Sequence, residues 1–209
     1  MKKMILALSV FVLLFAACAR KPAEVDARTA EYIEAYIMQL RDIEKVSSEK
    51  FNVILAHFEI LSENPSDEVM YKLAEAVASS LEANRNAINE FRNLAVSPKP
   101  YFVDDTIYLM LTTATALLGQ SYEIRNEAQT SLNRYISLRT MRFFREYTEQ
   151  METAMQFARQ AYFFITSARI RQRVLAGDTL DMSIEEFLNI PELPRDETAP
   201  DETAVAEEE

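Results

Sequence analysis

The residue best suited to chemistry is His57, the single histidine of this 209-residue sequence. A Ser-His-Asp triad would have to use it as the base, and it is a candidate haem ligand together with a methionine. Ile54 stands three positions before His57, so the Glu-x-x-His pattern of di-iron bundles is absent. His57 also precedes Phe58 at the edge of an amphipathic segment, which is typical of a histidine at a core boundary. We therefore predict no catalytic residue, no metal site and no cofactor, and we do not expect an enzyme.

The glycine content constrains both the chemistry and the fold class. Gly119 and Gly177 are the two glycines of the sequence. Strand turns, phosphate-binding loops and nucleophile elbows need residues that tolerate positive φ angles. A GxGxxG motif needs three glycines, and neither glycine begins a GxxxxGK[ST] motif. The sequence therefore excludes a dinucleotide fingerprint and a P-loop, and it disfavours all-β and doubly wound α/β folds.

Charge is unevenly distributed along the chain. Residues 24–98 contain fourteen acids and seven bases, whereas residues 125–173 contain nine arginines and four glutamates. One interpretation is structural, because a basic pair of helices would pack beside an acidic pair. The other is functional, because an arginine surface binds phosphates, lipid headgroups or an acidic protein partner. The total formal charge of -11 disfavours nucleic acid as a partner.

The arginines most suited to binding anions lie near the two ends of the last amphipathic segment. The first three follow one another at spacings of three residues, and the other two come near the end of the segment. The candidate anion-binding or partner-binding residues are Arg139, Arg142, Arg145, Arg169 and Arg173. Cations near a helix C-terminus also complement its dipole, which is the structural alternative for the last two.

The same segment is crowded with aromatic side chains. Phe143, Phe163 and Phe164 cannot all share the face that Phe144 and Tyr162 occupy. Either the helix is buried on two sides, or it presents an apolar patch to a partner. We therefore treat Phe143, Phe163 and Phe164 as a candidate apolar partner patch.

The N-terminus has the features of an export signal. A short basic start, Met1–Lys3, precedes fourteen residues from Met4 to Ala17 that are interrupted only by Ser9. As a helix this run would measure about 21 Å, which is shorter than the hydrocarbon core of a bilayer. It is therefore predicted to be a signal peptide and not a transmembrane span.

The end of the signal resembles that of a bacterial lipoprotein. Leu14-Phe15-Ala16-Ala17-Cys18 places small residues before the only cysteine of the chain, although Phe15 stands where leucine is usual. The resemblance implies cleavage before Cys18 and a diacylglyceryl anchor on its sulfur. The alternative is an ordinary small-x-small cleavage after Ala19, which would release the protein from the membrane.

The resemblance also implies a location. A lipidated Cys18 would hold the protein at the membrane of the bacterial cell envelope. Ala19, in the place where aspartate retains some lipoproteins at the inner membrane, implies the outer membrane, facing the periplasm or the surface. The membrane is then one partner, through the anchor, and a protein or an anionic lipid headgroup is a second.

Four amphipathic segments with short connections predict an all-α, antiparallel, up-down four-helix bundle with long helices. The seven prolines lie outside the periodic segments. The third reversal, placed between Asn133 and Arg142, has no glycine or proline, so one continuous bent helix is the alternative. Ser183 and Glu186 form a capping box that predicts a short additional helix. The predicted organisation is a signal peptide over 1–17, an anchor and linker over 18–26, a helical bundle over 27–190 and a disordered acidic tail over 191–209.

Individual residues predict where the helices are capped and where the first helix could break. Ser66 is a predicted N-cap, and Gly177 is a predicted C-terminal stop. The apolar face of the first helix is interrupted only by Glu44 and Ser47, so a break near Ser47-Ser48 is an alternative to one straight helix. On the third helix the spacing places Ile124 on the buried face. On the fourth helix it predicts burial of Phe144, Met151, Met155, Ala158, Tyr162 and Ile165.

The expected function is noncatalytic: a lipid-anchored binding or scaffolding module at the membrane surface. One alternative is a periplasmic carrier that holds a lipid, or a haem ligated by His57 and a methionine, in its core. A second arises because Ala87-Ile88-Asn89-Glu90-Phe91 resembles the second helix of a tetratricopeptide repeat, which would imply an adaptor. Glu75 departs from that pattern, and no second copy follows at a period of thirty-four residues.

Overall fold

The computed structural model describes residues 27–177, which form four long α-helices. The helices are α1, Ala27–Glu63; α2, Asp67–Ala95; α3, Asp105–Leu138; and α4, Met141–Leu175. No strand occurs within this range, and none of α1–α4 is long and apolar enough to cross a membrane. The predicted signal peptide, Cys18, the short helix near Ser183 and the acidic tail lie outside the described residues.

The helices pack as an antiparallel up-down bundle, which confirms the predicted fold class. Each helix packs against the next in the chain, and α1 also contacts α4. The N-terminal end of the bundle combines the start of α1, the loop of residues 96–104 and the last turn of α4. The distal end combines the connections at residues 64–66 and 139–140. At 1.5 Å per residue, α1 is about 55 Å long.

Caps at the helix ends follow the sequence closely. The Ser66 side chain accepts a hydrogen bond from the Val69 backbone N–H at 3.3 Å, which confirms the predicted N-cap. Asp104 caps α3 by accepting from the N–H groups of Thr106 and Ile107 at 3.0 and 3.2 Å. At the end of α4, Gly177 adopts a φ of 85° and donates its N–H to the Val174 carbonyl, consistent with the predicted stop.

The third reversal lies at Arg139-Thr140, inside the predicted window, so the continuous bent helix is wrong. Arg139 has a φ of 53°, the left-handed conformation that glycine usually supplies after a helix. Its N–H donates to the Tyr135 carbonyl at 2.8 Å. Between Ala27 and Gly177 it is the one residue other than glycine with a positive φ. Because an arginine adopts this conformation, the turn lacks the glycine that usually marks the end of a helix in a sequence.

The core consists of two apolar clusters separated by a layer of buried polar side chains. The N-terminal core contains, among others, Leu40, Phe91, Leu111, Leu118 and Ile165. The distal core contains, among others, Ile54, Leu73, Val77, Leu132 and Tyr147. We call the group between them the polar layer; it consists of Ser47, Ser80, Asn84 and Gln129.

The polar layer joins three helices through a chain of hydrogen bonds. Ser47 of α1 donates to the Asn84 side-chain oxygen of α2. The Asn84 amide donates to Gln129 Oε1 of α3 at 3.0 Å, and the Gln129 amide returns to Ser80 of α2 at 2.7 Å. These bonds explain why α1 runs without a break through Ser47-Ser48, because the polar residue that interrupts its apolar face is paired inside the bundle.

Small residues bring α3 and α4 close together. A stripe of fully buried alanines runs along α4, comprising Ala154, Ala158, Ala161 and Ala168. Ser121 of α3 donates its hydroxyl to the Ala154 carbonyl at 2.8 Å, which requires a close approach of the two backbones. This pair of helices has the most extensive interhelical contact in the bundle.

Three sequence predictions about burial and repeats need correction. Ile124 is half-buried, because Tyr122 and Arg125 continue the inward-facing register from Leu118. On α4, four residues predicted to be buried are half-buried: Phe144, Met151, Met155 and Tyr162. Residues 67–95 form one uninterrupted helix, whereas a tetratricopeptide repeat fits two helices into thirty-four residues. The resemblance to that repeat is therefore limited to sequence.

Substituting glycine at the α3–α4 turn should stabilise the bundle. Arg139→Gly removes the steric cost of a side chain in the left-handed conformation, so the free energy of unfolding should rise by about 1 kcal/mol. Urea denaturation of the two proteins measures this difference. A fall in stability would mean that the exposed contact of Arg139 with Asp67 outweighs the backbone cost.

Removing the centre of the polar layer should be costly. Asn84→Ala leaves buried groups of Ser47 and Gln129 without their partner, so the free energy of unfolding should fall by about 2–3 kcal/mol. Asn86→Ala is the matched control, because Asn86 is exposed on the same helix, and it should change stability by less than about 0.5 kcal/mol. Equal effects in urea denaturation would contradict the role given to the layer.

Candidate functional site

The structure divides the five candidate arginines between the two ends of the bundle. Arg139, Arg142 and Arg145 lie at the distal end, where α4 begins. Arg169 and Arg173 lie in the last two turns of α4, at the N-terminal end. At 1.5 Å per residue, about 36 Å of helix separates Arg145 from Arg169. The five residues therefore do not form one site.

We call the first group, Arg139, Arg142 and Arg145, the basic tip. All three side chains are exposed. Arg139 lies 3.6 Å from Asp67 across the distal end, and Arg142 pairs with Glu146 of its own helix at 2.8 Å. Exposed ion pairs of this kind are weak and are easily exchanged for a partner's acids. The basic tip is therefore available for binding an anionic group.

Exposed apolar side chains border the basic tip. Leu138 and Met141 flank the turn, and each is 62% exposed. The guanidinium of Arg134 lies 6.0 Å from the centre of the half-buried Phe143 ring. Cationic and apolar groups are thus next to each other on one end of the bundle, an arrangement suited to a partner that offers both acids and apolar side chains.

The arginines at the other end of α4 contact acidic residues of the same chain. Arg169 makes two hydrogen bonds to Glu34 of α1, from Nε at 2.8 Å and from Nη2 at 2.6 Å. Arg171 makes two to Asp104, the N-cap of α3. Arg173 is exposed in the last turn. The basic segment is therefore paired with the acidic segment at Arg169. This is what the structural interpretation of the charge pattern predicts.

The pKa of Asp104 reflects these contacts. Burial alone would raise the pKa of this carboxyl group, but hydrogen bonds from Arg171 and from the N–H groups of Ile107 and Thr106 outweigh burial and lower it. Asp104 is thereby held as a carboxylate that caps α3 and binds α4 at the same time.

The three candidate phenylalanines do not form one patch. Phe163 and Phe164 contact each other edge to face, with ring centres 6.0 Å apart, and Phe164 also packs against the N-terminal core. Phe143 lies twenty residues earlier, or about 30 Å along the helix. All three are half-buried. Part of the surface of each ring is therefore covered, in agreement with the alternative in which α4 is buried on two sides.

The sequence did not reveal a charged cluster at the boundary of the core, which consists of the half-buried Glu44, Arg125 and Tyr162 around the fully buried Tyr122. Tyr162 of α4 donates its hydroxyl to Glu44 Oε2 of α1 at 2.7 Å. The Arg125 guanidinium of α3 lies 4.7 Å from the centre of the Tyr122 ring. The signal was present, because an acid that interrupts an apolar helical face needs a partner in the interior.

Two polar atoms of this cluster lack hydrogen-bond partners. Tyr122 is fully buried, and its hydroxyl makes no well-formed hydrogen bond although Ser47 and Ser48 lie nearby. Arg125 Nε is also buried and unpartnered. Within residues 27–177, His57 Nδ1 and Asn126 Oδ1 share this property. Buried polar atoms in proteins usually have a partner, so these atoms mark places where a polar atom would be bound favourably.

Burial determines the protonation of the cluster. It raises the pKa of Glu44, and the hydrogen bond from Tyr162 and the charges of Arg125 and Arg41 oppose that rise only in part. Burial and the adjacent Glu44 also raise the pKa of Tyr162, so its hydroxyl remains a donor at neutral pH. The cluster therefore holds a carboxyl group that is easier to protonate than an exposed glutamate.

The described part of the chain contains no cluster of metal-binding side chains, and a groove lies open on its surface. No three His, Cys, Asp or Glu side chains among residues 27–177 are grouped so that they could hold a metal ion. His57 is half-buried at the edge of the apolar face of α1. An open groove of about 470 Å³ lies between α2 and α3, and Arg85, Arg92, Glu123 and Glu127 line it together with Ile88.

Replacing Glu44 by glutamine should make stability less dependent on pH. Because folding raises the pKa of Glu44, its contribution to stability is complete below pH 4.5 and is lost as the pH rises through the raised pKa. Glutamine cannot ionise and can still accept from Tyr162. The melting temperature of Glu44→Gln should match the wild type near pH 4 and exceed it by about 2 °C or more at pH 8.

The exposed Glu49 on the same helix provides the control for this comparison. Glu49→Gln should give the same difference from the wild type at both pH values. A constant difference between Glu44→Gln and the wild type would contradict the proposed effect of burial.

Comparisons of the chain with protein-family models, with curated proteins and with solved structures give no match. The function is therefore argued from the residues of this chain and from the geometry given above.

Proposed function

We propose that this protein is a lipid-anchored component of the bacterial cell envelope that acts as a noncatalytic binding or scaffolding module. Its structural element is the four-helix bundle, and its binding element is the basic tip with Leu138 and Met141. The observation that carries the proposal is the exposure of this mixed cationic and apolar surface at the distal end of the bundle.

The position of the proposed anchor supports this arrangement. Cys18 is nine positions before Ala27, where α1 begins. An acylated Cys18 would tether the N-terminal end of the bundle to a membrane, and triple acylation, implied by the lipoprotein resemblance, would hold it firmly. The basic tip would then be carried about 50 Å beyond the tethered end, measured along the helices. In the proposed outer-membrane location, the tip would face the periplasm or the surface.

An acidic protein segment is the partner that fits this surface best. Arginine side chains bind carboxylates through paired, charge-assisted hydrogen bonds, and Leu138 and Met141 offer an apolar contact beside them. Headgroups of the anchoring membrane would lie at the opposite end of the bundle. For the basic tip we therefore propose a protein partner in preference to an anionic lipid of that membrane.

The intact mass of the protein tests the anchor. Protein extracted gently from its own bacterial membranes should have a mass that begins at Cys18 and includes acyl chains, and native mass spectrometry should show no noncovalent ligand. A mass beginning at Arg20 would instead mean a released protein. A ligand lost on denaturation would favour the carrier alternative.

Removing the charge of the basic tip tests the binding element. A photo-crosslinker introduced at Met141 should form a defined adduct in living bacteria. In the triple variant Arg139→Ala, Arg142→Ala, Arg145→Ala, the adduct should fall about tenfold, equivalent to the loss of roughly one charge-assisted hydrogen bond. The melting temperature should change little, because the ion pairs that are lost are exposed.

A charge-matched control separates local binding from overall charge. Arg41, Arg85 and Arg159 are exposed along the sides of the bundle. Replacing these three by alanine removes the same charge and should leave the adduct intact. An equal loss in both triple variants, or unfolding of the first, would contradict a binding role for the basic tip.

A further inference from the structure

We infer that the N-terminal end of the bundle is a membrane-contacting surface, with Tyr101 and Val96 in the headgroup region of a phospholipid bilayer. This inference rests on the proposed anchor at Cys18 and adds to it the face of the protein that meets the lipid and the resulting orientation. The contact surface consists of Val96, Lys99, Tyr101 and Arg28.

Exposure of large apolar side chains is greatest at this end. Tyr101 is 85% exposed and Val96 is 80% exposed, the highest values for large hydrophobic side chains within residues 27–177. Both belong to the connection between α2 and α3. Tyrosine combines an apolar ring with a polar hydroxyl, and it is enriched where proteins meet the membrane interface.

The connection that carries these side chains is held firmly against the bundle. Thr29 of α1 donates its hydroxyl to the Phe102 carbonyl at 3.3 Å, and Tyr108 of α3 donates its hydroxyl to the Ser97 carbonyl at 2.5 Å. The adjacent Val103 is buried in the N-terminal core. Tyr101 packs edge to face on Phe102, with ring centres 5.4 Å apart. The outward position of Tyr101 is therefore fixed by its neighbours.

A positive side chain contacts the exposed tyrosine. The Arg28 guanidinium donates to the Tyr101 hydroxyl at 3.4 Å and lies 5.5 Å from the centre of the Phe102 ring. Lys99, two positions before Tyr101, is also exposed. Two acids of the same end are paired with cations, Asp104 with Arg171 and Asp105 with Lys99. An aromatic side chain next to arginine and lysine suits a phospholipid headgroup layer.

The length of the linker keeps this end close to the bilayer. Ala27 is nine positions after Cys18, so a fully extended linker spans at most about 30 Å. The linker contains two bases, Arg20 and Lys21, and two acids, Glu24 and Asp26, so it carries no net charge. The distal end lies about 55 Å from the N-terminal end. Contact through Tyr101 therefore stands the bundle upright and directs the basic tip away from the lipid.

The chain contains no tryptophan, so one introduced tryptophan reports its own surroundings. The full mature chain with Tyr101→Trp, carrying its own acyl chains, would be reconstituted into phosphatidylethanolamine–phosphatidylglycerol vesicles that contain brominated lipid. Its emission should shift to shorter wavelength, and the bromine should quench it about twofold or more, as expected for a ring in the interface. Val96→Trp is a second probe of the same surface.

Met141→Trp is the matched control, because Met141 is 62% exposed at the distal end. Its emission should be the same with and without brominated lipid. The proposed orientation, with the N-terminal end at the bilayer, would be overturned by quenching of Met141→Trp alone or of probes at both ends. Quenching of neither probe would also overturn it. Circular dichroism of each variant verifies that the bundle is folded.

Failure of the anchor and failure of the contact surface give different results. The same variants, coupled through Cys18 to a maleimide lipid, have the anchor whether or not the bacterium acylates the cysteine. Quenching of the coupled Tyr101→Trp protein, together with an unacylated natural mass, would retain the contact surface and reject the natural anchor. An acylated mass without quenching would retain the anchor and reject the contact surface.

Discussion

The arrangement of the whole bundle depends on the polar layer formed by Ser47, Ser80, Asn84 and Gln129. Apolar helix faces can slide past one another by a turn at modest cost, because leucine packs against leucine in either register. Buried amides and hydroxyls cannot, since each must meet a complementary group in a low-dielectric interior. A shift of α2 against α1 or α3 would break the bonds of Asn84 on both sides at once. The layer therefore fixes one register for three helices.

The fourth helix is positioned by a different set of contacts. Its small residues allow close packing against α3, with Ser121 bonded to the Ala154 backbone. On its other side it meets α1 through two polar contacts, Tyr162 with Glu44 and Arg169 with Glu34. The Phe58 ring of α1 also contacts Phe144 and Tyr147 of α4. Opposite charges on the first and last helices, which are segregated in the sequence, therefore help to join these helices. The basic tip, beyond the last of these contacts, retains its exposed arginines.

Much of the fold could be predicted from the sequence, because apolar periodicity, proline positions and Ser66 report local preferences. The site was harder to predict for a physical reason. An arginine such as Arg125 usually marks the solvent side of a helix, and here it continues an inward-facing register, so the expectation for Ile124 failed. Periodicity also gives the face of each residue but not the helix opposite to it, so the pairing of Glu44 with Tyr162 required the three-dimensional arrangement. Lipidation of Cys18 remains a prediction.

The polar pairing between α1 and α4 has a consequence for the order of assembly. The partners in it are 118 and 135 positions apart in sequence, whereas α3 and α4 are joined by a two-residue turn. Pairing of sequence neighbours closes short loops and is fast, and pairing of the first helix with the last closes the longest loop. During synthesis, α1 is complete well before Tyr162 and Arg169 exist, so Glu44 spends that interval in water as an ordinary carboxylate. Bundle closure is therefore the step at which this charge is desolvated, and the kinetics of closure depend on pH and ionic strength more than those of the α3–α4 hairpin.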